Sequence, residues 1–394
     1  MPVIHLGFRD HLVWQDSWLG LSQYVRVGRG GRLGEVRLGW PSPKRRSGDG
    51  IGEASVRYLK NNDRPPPHDP LDCRPTRKGI AMFNPTDFPK PTLIPVNGVE
   101  LEVFEAGRGN TKPIVLCHGW PEHAFSWRHQ MPALAAAGYH VIVPNQRGYG
   151  NSSRPVEVTD YDIANLTGDL VALLDHFGYD DATFAGHDWG ANVVWGLALL
   201  HQDRVDGVVN LALPYQERGE QPWIEMMEQV FGGDFYFVHF NRQPGVADAV
   251  LDDNTFQFLR NMYRKNVPPA APQPGMAMIN TAKAEAPLGE PIMSDSELAV
   301  FVSAFETSGF TGSINWYRNM DRNWHLLADV NPIIQQPALM IYGERDLIPK
   351  FERLSEFVPN VEVVSLDCGH WIQQELPDEA TQVILNWLER RGDD

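Results

Sequence analysis

Gly186-His187-Asp188-Trp189-Gly190 is the segment in which residue type and spacing most narrowly restrict the chemistry this chain could do. Glycines on both sides of an aspartate suit a sharp strand-to-helix turn. Nothing larger fits the backbone approach there, and the central side chain is lifted above a sheet. Asp188 is therefore the expected nucleophile. A serine that opened an epoxide would leave an ether it could not hydrolyse, whereas a carboxylate that attacks saturated carbon leaves an ester that water can cleave. The substrate is thereby restricted to one displaced at saturated carbon, a strained epoxide or an alkyl halide.

Two further residues complete a triad in chain order. Asp346 closes Gly343-Glu344-Arg345-Asp346, and His370 stands in Cys368-Gly369-His370-Trp371, each just past a predicted strand. Alone, an aspartate after a strand reads as a turn residue and a single histidine as structural. In the order nucleophile, acid, histidine they read as one catalytic unit. His118-Gly119-Trp120-Pro121 follows a strand ending at Cys117 and would aim the Trp120 amide at the same point as the Trp189 amide, making an oxyanion hole. The plain alternative is a proline-bounded surface turn. The hole would receive the oxygen of the chain's own ester at Asp188. Before reaction it would favour an ionised carboxylate at a helix N-terminus.

The elements that must hold these residues are legible from hydrophobic patterning. Leu93-Ile94-Pro95-Val96 and Val99-Glu100-Leu101-Glu102-Val103 flank Asn97-Gly98, a two-residue hairpin signal. Buried-strand runs follow at 114–117, 141–143, 182–185, 208–211, 338–342 and 361–364, most with helical segments between them. Ile163, Leu166, Leu170, Leu173, Leu174 and Phe177 recur at helical spacing, with Asp160 as the expected cap and Gly178 as the stop. Ala380, Val383, Ile384, Trp387 and Leu388 mark a final amphipathic helix. Alternation of this kind predicts an α/β fold, a mainly parallel sheet covered on both faces. It lapses between about Pro214 and Arg322, a stretch rich in aromatics and methionine with a loose loop at Pro268–Pro274. The expected organisation is a hydrolase core at 83–213 and 322–394 and a cap at 214–321.

Composition sets the outer bounds. The 394 residues are 42% hydrophobic, enough for a sizeable core. No apolar run approaches the roughly 18 residues of a membrane span. No secretory signal is evident, so a cytoplasmic location is expected. The three cysteines, Cys73, Cys117 and Cys368, lack metal-like spacing and read as ordinary thiols. Residues 1–82 hold 14 Lys and Arg against 8 Asp and Glu, and the remainder holds 20 against 42. A body this acidic repels phosphate backbones, which argues against nucleic acid as a partner. The basic leader, with Gly28-Arg29-Gly30-Gly31-Arg32 and Pro65-Pro66-Pro67, has no evident core. It reads either as a tether to anionic surfaces or, the favoured expectation, as sequence upstream of the functional start near Met82.

From about Phe83 to Leu388 the chain resembles the epoxide hydrolases of the α/β-hydrolase superfamily. The resemblance is carried by His118-Gly119-Trp120-Pro121, Arg147-Gly148-Tyr149-Gly150 with Ser152-Ser153, His187-Asp188-Trp189-Gly190, Asn315-Trp316-Tyr317-Arg318-Asn319 and Gly369-His370-Trp371. It implies an eight-stranded, mostly parallel sheet with an inserted, mainly helical cap. It further implies that two cap tyrosines, matched here by Tyr236 and Tyr317, donate hydrogen bonds to the oxirane oxygen. A phenol suits that task because it stays protonated near neutrality while meeting a developing alkoxide. Phe125, Trp316 and Trp371 are expected to line the substrate pocket, with core packing as the alternative. The implied activity is conversion of an epoxide to a vicinal diol through an aspartyl ester, with water as co-substrate and no cofactor or metal. A homodimer is compatible with it. Two other readings stand beside it: a haloalkane or haloacid dehalogenase using the same aspartate, and a small-molecule-binding protein that keeps the fold without catalysis.

Overall fold

A hairpin opens the sheet. Thr92–Val96 (β1) and Val99–Ala106 (β2) pair antiparallel across Asn97-Gly98, at φ 41° and 77°, the left-handed conformations that a tight hairpin turn requires. The computed structural model describes residues 85–267 and 278–392. The basic leader and the loop at 268–274 singled out in the sequence lie outside the described residues. The remaining strands are Lys112–Cys117 (β3), Tyr139–Asn145 (β4), Ala182–His187 (β5), Val205–Leu211 (β6), a short antiparallel pair Arg264–Lys265 (β7) and Glu290–Pro291 (β8), then Ala338–Gly343 (β9) and Val361–Leu366 (β10). The main sheet has eight strands in the order β1-β2-β4-β3-β5-β6-β9-β10. Only the β1–β2 and β2–β4 pairs are antiparallel.

Strand order reverses at β3. The chain passes from β3 to β4 on one side and returns to β5 on the other, so the connections after β3 and β5 lead off to opposite sides while their first residues meet at the carboxyl ends of those strands. His118-Gly119-Trp120-Pro121 and the Asp188 turn open those two connections.

Alternation along the strands divides the core in two. Val115, Phe184, Val208 and Met340 face one side with Leu166, Leu170, Val193 and Leu197. Ile114, Leu116, Ala185, Val209 and Ile341 face the other with Met131, Leu134, Ile384 and Trp387. The helices that cover the two faces are Gln130–Ala136 (α1), Ile163–Phe177 (α2), Trp189–Leu200 (α3) and, at the end of the chain, Pro377–Gly392. Of the periodic apolar positions of α2, Ile163, Leu166, Leu170, Leu173 and Leu174 are buried and Phe177 is half-buried, and Gly178 ends the helix at φ 74°, but its cap is Asp162 rather than Asp160. Asp160 is taken up by a single 3-10 turn, Val158–Tyr161. The helix therefore starts two residues later, where the Asp162 side chain accepts the Asn165 amide at 3.0 Å.

Between β6 and β9 the chain forms Trp223–Phe231 (α4), Tyr236–Arg242 (α5), Val246–Asp253 (α6), Thr255–Met262 (α7), Met278–Lys283 (α8), Asp295–Ser308 (α9), Thr311–Arg318 (α10) and Met320–Leu326 (α11). After β9 come Leu354–Phe357 (α12) and Ile372–Glu375 (α13), and the final helix is α14. Indole N–H groups tie the inserted helices to the loops above the sheet. Trp120 Nε1 donates to Ser313 Oγ at 3.1 Å, Trp316 Nε1 to the Arg147 carbonyl at 3.2 Å, and Trp371 Nε1 to the Met262 carbonyl at 3.1 Å. No helix among the described residues is long and apolar enough to cross a membrane.

The turn at Asp188 tolerates no side chain on its flanks. A Cβ on Gly190 would overlap the backbone carbonyl of Cys117, a strand atom that cannot move aside. Gly190→Ala is expected to destabilise the fold by about 3 kcal/mol, the cost of overpacking a rigid site, measured by urea denaturation. A variant as stable as the wild type would contradict this reading of the turn.

Candidate active site

Asp188 sits at φ 51°, ψ −121°, directly ahead of α3, in a backbone conformation that L-residues rarely adopt. Its Oδ1 accepts the Trp120 amide at 2.9 Å, and the Trp189 amide also hydrogen-bonds the carboxylate. The two amides that the sequence placed after separate strands thus converge on one side chain. Its other oxygen, Oδ2, lies 3.6 Å from His370 Nε2. His370 Nδ1 in turn lies 2.9 Å from Asp346 Oδ2, and Asp346 Oδ1 accepts the Ile348 amide at 3.1 Å. The Asp188 and His370 side chains are 16% and 25% exposed, so both are reachable from outside.

Across from the carboxylate stand the two insertion tyrosines. Tyr236 opens α5 and Tyr317 lies near the end of α10. Their ring centroids are 5.6 Å apart and their phenols share a hydrogen bond. Trp120 stacks on Tyr236 at 6.4 Å and meets Tyr317 edge-on at 5.4 Å. Burial pushes both phenols well above their usual pKa, and the nearby Asp188 charge pushes the same way, so both stay protonated.

The three expected pocket aromatics fall in different places. Trp371 packs on His370 at 5.0 Å and on His187 at 5.8 Å, beside the triad. Trp316 lies one layer back, edge-on to Trp189 at 5.9 Å and Tyr149 at 5.3 Å. Phe125 is fully buried, with Phe88 and Phe301 as ring neighbours and the Arg128 guanidinium 5.0 Å over its face, and none of these is a triad group. No group of three or more His, Cys, Asp or Glu placed to hold a metal ion occurs among the described residues.

The α/β hydrolase fold family matches residues 112–377. The chain is 42% identical to epoxide hydrolase A of Mycobacterium tuberculosis over 76% of its own length and 97% of that protein. It belongs to the epoxide hydrolases of the α/β-hydrolase fold. It is also 36% identical to the pig bifunctional epoxide hydrolase 2, of which it spans only 54%. Among solved structures, epoxide hydrolase A from Mycobacterium thermoresistibile superposes with a TM-score of 0.71 at 42% identity, covering 76% of this chain and 98% of that one. An epoxide hydrolase from Vigna radiata gives 0.70 at 28% identity, covering 78% and 99%.

Beneath the triad of this epoxide hydrolase lies a buried pair that the sequence reading did not single out. Glu122 and His187 are each 0% exposed at the side chain and lie 2.7 Å apart, Oε2 to Nδ1. His187 Nε2 lies 2.8 Å from the His370 carbonyl oxygen, so both ring nitrogens face acceptors and both must carry hydrogen, or Glu122 must be protonated. Glu122 already accepts the Gly119 amide at 2.8 Å and the Gln373 and Gln374 side-chain amides at 3.0 and 2.9 Å, which favours its ionised form. Burial alone would raise its pKa, but His187, the Gly119 amide and His118 together outweigh burial and hold it low. Burial pushes Asp188 above the usual carboxylate range, while His370, His187 and the two backbone amides pull against it. The expected preference of the amides for the ionised form is thus one of several forces on that group, and burial opposes it.

Burial would lower the His370 pKa, but Asp346, with its hydrogen bond, then Asp188 and Glu122 raise it from 6.5 to about 9. Because the folded value is raised, the stabilisation from His370 is complete below its unfolded pKa and is lost as pH climbs through the folded one. Stability of the wild type is therefore expected to fall between about pH 6.5 and about pH 9 by an amount absent from His370→Gln. Parallel stability profiles for the two proteins in urea titrations would refute the assignment.

Proposed function

We propose that this chain hydrolyses epoxides to vicinal diols in two steps through an ester on Asp188. In the first, Asp188 Oδ2 attacks a ring carbon and the C–O bond opens. Tyr236 and Tyr317 donate hydrogen bonds to the oxygen as it gains charge, and one phenol gives up its proton so that the oxygen becomes a hydroxyl. In the second, neutral His370 takes a proton from water as the water oxygen bonds to the Asp188 carboxyl carbon. The tetrahedral oxyanion on Oδ1 is met by the Trp120 and Trp189 amides; its collapse breaks the Cγ–Oδ2 bond, the departing Oδ2 takes the remaining water proton to release the diol, and the proton on His370 returns to the phenolate. The water oxygen remains in Asp188, and the diol carries away the old Oδ2.

One observation carries this reading: a carboxylate held between two backbone amides and a histidine, with a hydrogen-bonded pair of neutral phenols opposite it. A halide leaving group gains less from two phenols than an alkoxide does, which favours an epoxide over a haloalkane. Ester formation also prepares its own hydrolysis. Once Asp188 is esterified, its charge no longer holds the proton on His370, and the imidazole becomes a better base. In this reading α4–α11 form the cap, which supplies the oxygen donors. The aromatic rings of Trp120, Phe240, Tyr236 and Tyr317 suit an apolar substituent on the epoxide.

Two measurements test the scheme. A single turnover in water enriched in heavy oxygen is expected to give unlabelled diol and one labelled oxygen in the Asp188 peptide, and label in the first-turnover diol would exclude the ester. Tyr317→Phe is expected to slow ester formation by about a hundredfold, the usual cost of removing a donor aimed at developing charge. An unimpaired rate with a range of epoxides would remove Tyr317 from the mechanism.

A further inference from the structure

A buried arginine outside the triad joins the inserted helices to the catalytic loops. Arg128 follows the single turn Ala124–Trp127 and is 1% exposed. Its Nε donates to Glu297 Oε1 at 2.7 Å and its Nη1 to Gln374 Oε1 at 2.8 Å. Glu297 is the third residue of α9. Its second oxygen accepts the Ser294 amide and hydroxyl, each at 2.8 Å, closing the capping box that starts that helix. On the other side, Gln374 Nε2 donates to Glu122 Oε1 at 2.9 Å.

The direction of this chain of bonds is fixed by chemistry. A guanidinium has donors only, so Gln374 must turn its carbonyl oxygen to Arg128, and its NH2 must then face Glu122. Glu122 passes the constraint on in two directions. It accepts the amide of Gly119, next to the Trp120 amide that holds Asp188, and it fixes His187, which grips the His370 carbonyl at 2.8 Å. An isolated arginine this deeply buried would be costly; besides the local Phe125 carbonyl, which its Nη1 reaches at 3.3 Å, its two side-chain partners lie on a path between α9 and the loops of the hole and the base.

We propose that Arg128 and Gln374 are positioning residues, which set Glu122 and through it both the oxyanion turn and the His370 backbone against helix α9. The proposal rests on the ester mechanism above and adds to it a division between the steps. Hydrolysis of the ester uses the hole and the base, both anchored on Glu122. Attack on the epoxide uses Asp188 Oδ2 and the two phenols, to which no member of the relay is hydrogen-bonded, although the relay bears on Asp188 Oδ1 through the Trp120 turn.

The test is a single turnover of the full chain with styrene oxide, quenched in acid and followed by mass spectrometry of the Asp188 peptide. Gln374→Met keeps the side-chain length and removes both hydrogen bonds. It is expected to form ester within about twofold of the wild-type rate, to full amplitude, and to lose it about tenfold more slowly, the effect of one hydrogen bond to a charged group. A smaller amplitude with an unchanged decay rate would mean only that fewer molecules fold, and would overturn the proposal, as would unchanged kinetics throughout. Gln374→Glu supplies an independent reading, because two facing carboxylates can restore the contact only while they share a proton. Relative to wild type, its ester decay is expected to be near normal at low pH and to fall toward that of Gln374→Met as pH rises, and a ratio constant with pH would count against the relay. Absence of any ester in the wild type would instead overturn the mechanism, and this proposal with it.

Discussion

The conformation of one residue governs the site. At φ 51° and ψ −121°, Asp188 occupies backbone space whose cost is about 1–3 kcal/mol, tolerated only where the surroundings overdetermine it. They do so through contacts that admit no substituent. A Cβ on Gly119 would stand 2.6 Å from the Cβ of Asp188, and one on Gly186 would stand 2.5 Å from the Ala191 nitrogen. The loops after β3 and β5 are therefore pressed together at the point where strand order reverses, and two amides from different loops reach one carboxylate. The eight-stranded sheet supplies the rigidity that makes this pressure sustainable.

A second requirement follows from bringing that carboxylate out of bulk water. Charges in such a place persist only when paired, and the chain alternates them in depth. Asp346 and His370 form one pair and Glu122 and His187 another below it, with Arg128 and Glu297 farther out. Neutral phenols complete the opposite wall, where an ionised group would repel the Asp188 carboxylate. The inserted helices thus contribute oxygen donors without adding negative charge.

Much of this was legible in the sequence because the signals were local. The strands, the Asn97-Gly98 hairpin and the triad order depend on alternation, turn chemistry and residues just past strand ends, all of which are written in short windows. Tyr236 and Tyr317 are the tyrosines that the family resemblance matches, and the structure brings their rings to 5.6 Å of each other. The failures share a cause as well. Asp160 has the composition of a cap, but an intervening turn moved that role to Asp162. Glu122 follows a proline in a loop and reads as a surface residue, yet its donors come from Gly119 and His187 and from Gln373 and Gln374, some 250 positions away, a convergence that no window contains. Phe125 resembles its neighbours in type, and only the packing against Phe88 and Phe301 separates it from the triad.

The Asp188 carboxylate directly follows strand β5 of the sheet, whereas the phenols of Tyr236 and Tyr317 stand on α5 and α10, in the part of the chain between β6 and β9. An exchange of that whole segment at two junctions would alter the groups that face the carboxylate while leaving Asp188, Asp346 and His370 in place. Modularity of this kind allows a lineage to diversify its chemical repertoire without reinventing its reactive centre.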